Sequence, residues 1–321
     1  LNKSKKIIRA DLKKAGVLKK IRNFKILDVG TGRQSLILSK LGAKSVEHFD
    51  ISHDHVKRFQ KILKKRFYNY NIKSKNADLT KFKLKKEYYD FIYLNGIVHH
   101  FENVHDGLYN CSNSLKIGGR IWCYFYRSGT FKWFVCSMIR KLILNIDVKD
   151  AFKSLSIFFG KGETSNYIVG RIMDDFFVPY IHLFSANQYI DYMNEIGFKM
   201  VGNDNAYPLD NINHKKLHHS ATIVFEKFKS TPIKNKINKK ICLTSINTID
   251  QLNEKYYKDD KILSCIKEFK KILKKMNKLS DYKMWMLLLS MHELSAGQYY
   301  GKSELPPKYN ELVKILKLAN S

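Results

Sequence analysis

Through roughly the first 125 residues, short apolar strands alternate with amphipathic helices, and this alternation narrows the choice of architecture more than any other feature. Lys25–Val29 (KILDV) reads as a buried strand, followed by the turn Gly30-Thr31-Gly32. A short helix over 35–41 closes at Gly42, and a second strand covers 46–50 (VEHFD). The spacing predicts a helix over 54–70, with Val56, Phe59, Ile62, Leu63 and Phe67 on one face. Further strands are expected at 73–77, 89–94 (YDFIYL) and 120–126 (RIWCYFY), with a helix over 104–115 and a turn at Gly118-Gly119. Strands and helices at this spacing make βαβ units, hence an α/β fold with a parallel sheet covered on both faces.

The pattern is interrupted between Arg127 and Phe184 by an aromatic-rich stretch that reads as helical. It resumes with a helix over 186–196 and strands over 198–201 and 221–228. The expected organisation is one domain over 1–228 with an insertion at about 128–184, a Lys-rich linker at 229–241 and a helical C-terminal extension over 242–321. In the extension the best helix is 260–276, where Ile262, Ile266, Phe269, Ile272, Leu273 and Met276 form one stripe. Two more helices, 282–294 and 310–318, flank the break at Pro306-Pro307.

Composition removes several classes. With 44% apolar residues in 321, a full core can form and global disorder is excluded. Charges break every long apolar run well before the roughly 20 residues that span a bilayer. The Lys-rich start lacks an apolar h-region, so no secretory signal is expected. The five cysteines form no CxxC pair and read as free thiols in a reducing cytoplasm. A net charge of +29 invites a nucleic-acid reading, but only nine of the 58 basic residues are arginine. Nucleic-acid surfaces favour the bidentate arginine fork, so the lysine excess reads as the composition of an AT-rich genome, compatible with acidic partners without demanding them.

The segment Asp28-Val29-Gly30-Thr31-Gly32 carries the chemistry. Glycines between a strand and a helix let the backbone turn tightly and approach a ligand. Nicotinamide-binding chains also place Gly-x-Gly there, so the pair alone is weak. Two acids sharpen it: Asp28, two residues before the first glycine, and Asp50, which ends the next strand 22 residues later, placed to accept ribose hydroxyls. Gln34 or Ser35 stands where a third glycine would be, which suits a phosphate-free ligand better than a pyrophosphate.

From about Phe24 to Phe228 the chain resembles the class I S-adenosylmethionine-dependent methyltransferases. Ile26-Leu27-Asp28-Val29-Gly30-Thr31-Gly32 looks like that family's first motif, and Phe49-Asp50-Ile51-Ser52 like its ribose-holding second. Asn76-Ala77-Asp78-Leu79 resembles the acidic station that contacts the adenine amine. The run from Tyr89 through Asn95 and Gly96 to His99-His100-Phe101 resembles the fourth strand and loop of the small-molecule branch. Leu115-Lys116-Ile117-Gly118-Gly119-Arg120-Ile121 resembles that branch's turn into strand five. The resemblance implies a Rossmann-like, doubly wound, seven-stranded sheet with a helical lid insertion. It implies S-adenosyl-L-methionine as cofactor, held by Asp28, Gly30, Thr31, Gly32, Asp50, Ile51, Asp78, Leu79 and Asn95. The missing third glycine puts the close contact around Gln34 in question, not the family.

Methyl transfer from a sulfonium is a single in-line displacement, so the protein positions its reactants and excludes water. A base is needed only for an acceptor that is protonated at neutral pH. His99, His100 and His182 are the candidates, with the insertion expected to help cover the acceptor. His214, His218 and His219 lack a neighbouring Cys or acid at ligand spacing, so no metal is expected. The expected acceptor is a small molecule. Asn95 is followed by Gly96-Ile97, unlike the Pro-Pro-aromatic loop of enzymes that methylate exocyclic base amines. Three alternatives are carried: an RNA or other polyanion acceptor, a membrane-associated lipid or quinone reached through the apolar, cation-bearing segment 131–146, and a non-catalytic binding scaffold.

Overall fold

The computed structural model describes residues 2–128, 131–143, 146–159, 162–203, 220–237 and 244–245. The predicted helices of the C-terminal extension and His214, His218 and His219 lie outside these residues.

The chain opens with a helix, α1 (Asn2–Lys14), and a short 3-10 turn, Leu18–Asn23. Ile8, Leu12 and Ala15 recur at helical spacing and are buried, together with Val17 and Ile21, against Ile26, Ile37, Phe91, Tyr93, Trp122 and Val224. Each fully buried aliphatic side chain contributes about 1.5–3 kcal/mol, so this Lys-rich start is part of the core. The alternating segment follows as β1 (Lys25–Val29), α2 (Arg33–Lys40), β2 (Ser45–Asp50), α3 (His53–Arg66), β3 (Ile72–Asn76), β4 (Tyr89–Asn95), α4 (Val104–Ser114) and β5 (Leu115–Tyr126). Then come α5 (Phe131–Leu142), α6 (Val148–Phe159), α7 (Glu163–Phe176), β6 (His182–Leu183), α8 (Ala186–Glu195), β7 (Phe198–Asn203), β8 (Ser220–Lys227) and β9 (Thr244–Ser245).

Several boundaries shift by one or two residues, and two larger differences have local reasons. Helix α3 stops at Arg66, because Phe67 leaves the helical region (φ −137°, ψ 34°) ahead of the turn-forming Asn69-Tyr70-Asn71. Gly118-Gly119 lies within β5 and does not precede it. Tyr89 pairs with Leu115 and Phe91 with Arg120, so the glycines form an irregularity that the strand absorbs.

Seven strands form one sheet in the order β3-β2-β1-β4-β5-β8-β7. The first five are parallel, and β8 runs antiparallel between β5 and β7. This is a Rossmann-like, doubly wound sheet with one antiparallel strand next to its edge. Its strand order reverses between β1 and β4, and in open α/β sheets ligands bind beyond the carboxyl ends of the strands at such a switch point.

The chain divides into two compact units. The first comprises residues 1–126, 184–206 and 220–243 and contains the sheet. The start of the segment read as a linker packs on this unit: Thr231 Oγ1 lies 2.6 Å from Ser112 Oγ, and Tyr109 donates to the Pro232 carbonyl at 3.2 Å. The second comprises residues 127–183, 207–219 and 244–321, and in it β6 pairs antiparallel with β9. Along α5, Trp133, Cys136, Ile139 and Ile143 are buried. So are two cations that an interfacial helix would direct to lipid headgroups. Lys132 pairs with Asp175 at 3.0 Å, and Arg140 donates to the Val178 carbonyl at 2.7 Å. No described helix is long and apolar enough to cross a membrane.

Candidate active site

The turn after β1 is held from beneath by buried polar groups. Asp28 is 1% exposed, and its Oδ2 accepts from Ser35 Oγ in the first turn of α2 at 2.5 Å. Burial raises its carboxyl to about 7, although the Ser35 hydrogen bonds pull it down. Asp28 therefore ties the strand end to the helix start and turns away from solvent. His48, fully buried on β2, donates from Nε2 to the Gly30 carbonyl and accepts at Nδ1 from Ser74 Oγ, 2.8 Å away. Desolvation lowers its pKa, consistent with the neutral ring that this pairing requires. The Gly30 N–H also donates to the Phe49 carbonyl at 2.9 Å, so β2 holds both sides of the glycine.

The two glycines have different reasons. Gly30 has φ +127°, and a side chain built there would meet nothing within 4 Å. Gly32, with φ +78° at the N-cap of α2, would place a Cβ 2.8 Å from the Phe59 ring. Gly30 thus borders open space, while Gly32 allows α3 to pack. Thr31 between them is exposed.

At the end of β2, Asp50 accepts from the Ser52 N–H through Oδ1 at 2.7 Å, and its Oδ2 lies 3.5 Å from His55 Nδ1. Ile51 beside it is 73% exposed, and Asn76 Nδ2 donates to the carbonyls of Asp50 (3.0 Å) and Ile51 (2.8 Å). After β3, Asp78 Oδ1 accepts from the Thr80 N–H at 2.9 Å and hydroxyl at 2.7 Å, forming a turn, with Lys81 Nζ 3.6 Å from Oδ2. Leu79 is buried. At the end of β4, Asn95 is half-buried and donates through Nδ2 to the Tyr93 hydroxyl at 3.2 Å.

The ends of β4 and β5 carry rings. His99 is fully buried and stacks on Tyr126 at 3.5 Å between centroids. His100 meets His99 edge-on at 4.2 Å and is half-buried. Tyr124 and Tyr126 meet at 6.1 Å. His182, on β6, belongs to the second unit and stacks with Tyr180 at 6.1 Å. Sequence reasoning placed the two histidines here but missed Tyr124 and Tyr126, which it read only as strand residues. It also missed His48, although a polar residue inside the strand VEHFD was the available signal.

The residues present fit S-adenosylmethionine: an open, left-handed glycine for the amino-acid arm, a carboxylate at the end of β2 for the ribose, and an exposed isoleucine beside it for the adenine. The sequence model of a family described as a methyltransferase domain matches residues 27–123, the stretch from β1 into β5 that builds this site. Over residues 27–123 the first unit thus matches a methyltransferase domain. No curated protein matches the chain. Among solved structures, the chain is similar to the cyclase SpnF, with 14% identity over 34% of this chain and 44% of that chain, TM-score 0.31. It is also similar to an S-adenosylmethionine-dependent methyltransferase from Mesorhizobium loti, with 22% identity over 35% of this chain and 52% of that one, TM-score 0.30. The chain thus spans about half the length of these two. A sarcosine dimethylglycine methyltransferase homologue from Galdieria sulphuraria shares 16% identity over 72% of this chain and 85% of its own, TM-score 0.44. Among the described residues, no cluster of His, Cys, Asp or Glu is arranged to hold a metal ion.

Proposed function

We propose that this methyltransferase domain acts on a small-molecule acceptor bound beyond the carboxyl ends of β4 and β5. The observation that carries the reading is the cluster of His99, His100, Tyr124 and Tyr126 there, next to the cofactor side of the switch point. When bound, S-adenosylmethionine supplies a methyl group already activated by its sulfonium. The open space at Gly30 admits the amino-acid arm, Asp50 accepts from the ribose hydroxyls, and Ile51 covers one face of the adenine. Asp78 shapes the turn that borders the adenine, with Leu79 buried beneath. The ring cluster orients an apolar or ring-bearing acceptor and keeps water from the reacting atoms. For a hydroxyl acceptor, His100 takes the proton. His99 is enclosed against Tyr126 and serves to hold its neighbour.

The test begins with calorimetry. S-adenosylmethionine and S-adenosylhomocysteine should bind, and NADH should not; the reverse would restore the dehydrogenase reading. Transfer of labelled methyl to a panel of ring-bearing alcohols and amines should then exceed transfer to structured RNA or to quinone-loaded vesicles. Preferential labelling of RNA would replace the small-molecule reading with the polyanion one.

A further inference from the structure

A chain of three side chains runs from the N-terminal helix to the mouth of the cofactor site. The Tyr93 hydroxyl donates to Asp11 Oδ2 at 2.7 Å, and Asn95 Nδ2 donates to the same hydroxyl at 3.2 Å. Asp11 is 9% exposed and Tyr93 fully buried. A phenol has one hydrogen, and here the Asp11 carboxylate takes it. Burial and that carboxylate push the Tyr93 phenol far above its ordinary range, so the hydrogen stays on the ring oxygen. Towards Asn95 the hydroxyl can then only accept, which fixes the amide with its NH₂ on Tyr93 and its Oδ1 turned the other way.

The register puts this pair of strands at the switch point. Asp28 of β1 is the partner of Tyr93 on β4. Two residues beyond this last pair, Gly30 follows the end of β1 and Asn95 ends β4, and Gly30 borders open space. We infer that Asp11 is a positioning residue which, through Tyr93, locks the Asn95 carboxamide with its oxygen presented to the cationic α-ammonium group of the cofactor's amino-acid arm. The inference rests on the cofactor reading above. It gives α1 a part in donor recognition as well as in packing. Without Asp11, the Tyr93 hydrogen is free to turn to Asn95 Oδ1; the amide then flips and presents NH₂ donors to a cation.

Calorimetry with two ligands tests this: S-adenosylhomocysteine, and methylthioadenosine, which keeps the adenosine but lacks the amino-acid arm. Asp11→Ala and Tyr93→Phe should each weaken S-adenosylhomocysteine about five- to tenfold and leave methylthioadenosine within twofold, since one charge-assisted hydrogen bond is at stake. Equal losses for both ligands, or no loss for either, would overturn the inference. Should Asp11→Ala fail to fold, Tyr93→Phe alone decides, because it keeps the buried ring and removes only the oxygen. A wild-type protein that binds neither ligand would instead sink the cofactor reading.

Discussion

The two ends of the switch point are built from different materials. At the ends of β1 and β2, the groups that matter are backbone, two glycines and buried hydrogen-bonding side chains: Asp28 on Ser35 and His48 on the Gly30 carbonyl. At the ends of β4 and β5, they are stacked rings: His99 on Tyr126, with His100 and Tyr124 at their edges. The first kind of site demands specific residues at specific positions. Left-handed backbone beside open space admits only glycine, and a ribose needs a carboxylate at one strand end. The second kind is ring packing, which many sequences satisfy and which says little about the molecule it meets. The difference explains why the donor is readable here and the acceptor is not.

The largest effect should separate the two glycines. Gly30→Val should abolish S-adenosylmethionine binding while circular dichroism stays near wild type, because the side chain enters space that the structure leaves open. Gly32→Ala should instead lower thermal stability first, since its Cβ meets the Phe59 ring. If the two variants behave alike, the turn does not divide into a ligand position and a packing position.

On the ring side, His100→Ala should lower turnover of a hydroxyl acceptor about 10²–10⁴-fold with donor affinity intact. His99→Ala should lower it less and reduce stability more, because that ring is enclosed. Unchanged turnover in His99→Ala, His100→Ala and His182→Ala alike would point to an amine or activated-carbon acceptor that needs no protein base.

Asp50→Ala should weaken S-adenosylmethionine at least about tenfold by calorimetry, since hydrogen bonds to a carboxylate contribute roughly 1.5–3 kcal/mol each. A folded variant with wild-type affinity would remove β2 from the donor side of the comparison.

The smallest effect is on stability against pH, where the two buried groups beneath the turn act in opposite directions. Asp28 is raised from 3.8 to about 7, so the folded state holds its proton more tightly than the unfolded chain does. Its contribution is fully present below pH 3.8 and is lost as pH rises through about 7. Asp28→Asn should flatten urea-denaturation stability across that window. His48 is lowered by burial, so its contribution is present above pH 6.5 and is lost on acidification. His48→Gln should blunt the acid-side loss. A slope unchanged by either variant would mean that neither group titrates with folding.

Sequence alone determined the features that local chemistry enforces. Strand–helix alternation specified an α/β sheet, and β1 runs over the residues expected of it, Lys25–Val29. Gly30, Gly32 and Asp50 were legible because a backbone angle or a charge at a strand end requires those residue types. The tertiary structure decided what depends on distant partners. That α1 belongs to the core follows only when Ile8 and Leu12 meet Phe91 and Trp122, about a hundred positions away, and a Lys-rich segment shows no such partner on its own. That Asp28 faces inward depends on Ser35, and that His48 clamps Gly30 depends on two parallel strands being adjacent. The family resemblance placed Asn95 among the cofactor-holding residues; its orientation comes from a hydroxyl two residues back and a carboxylate 82 residues from that hydroxyl. Such arrangements leave no periodic trace, because a hydrogen bond between residues far apart constrains two single positions and no spacing between them.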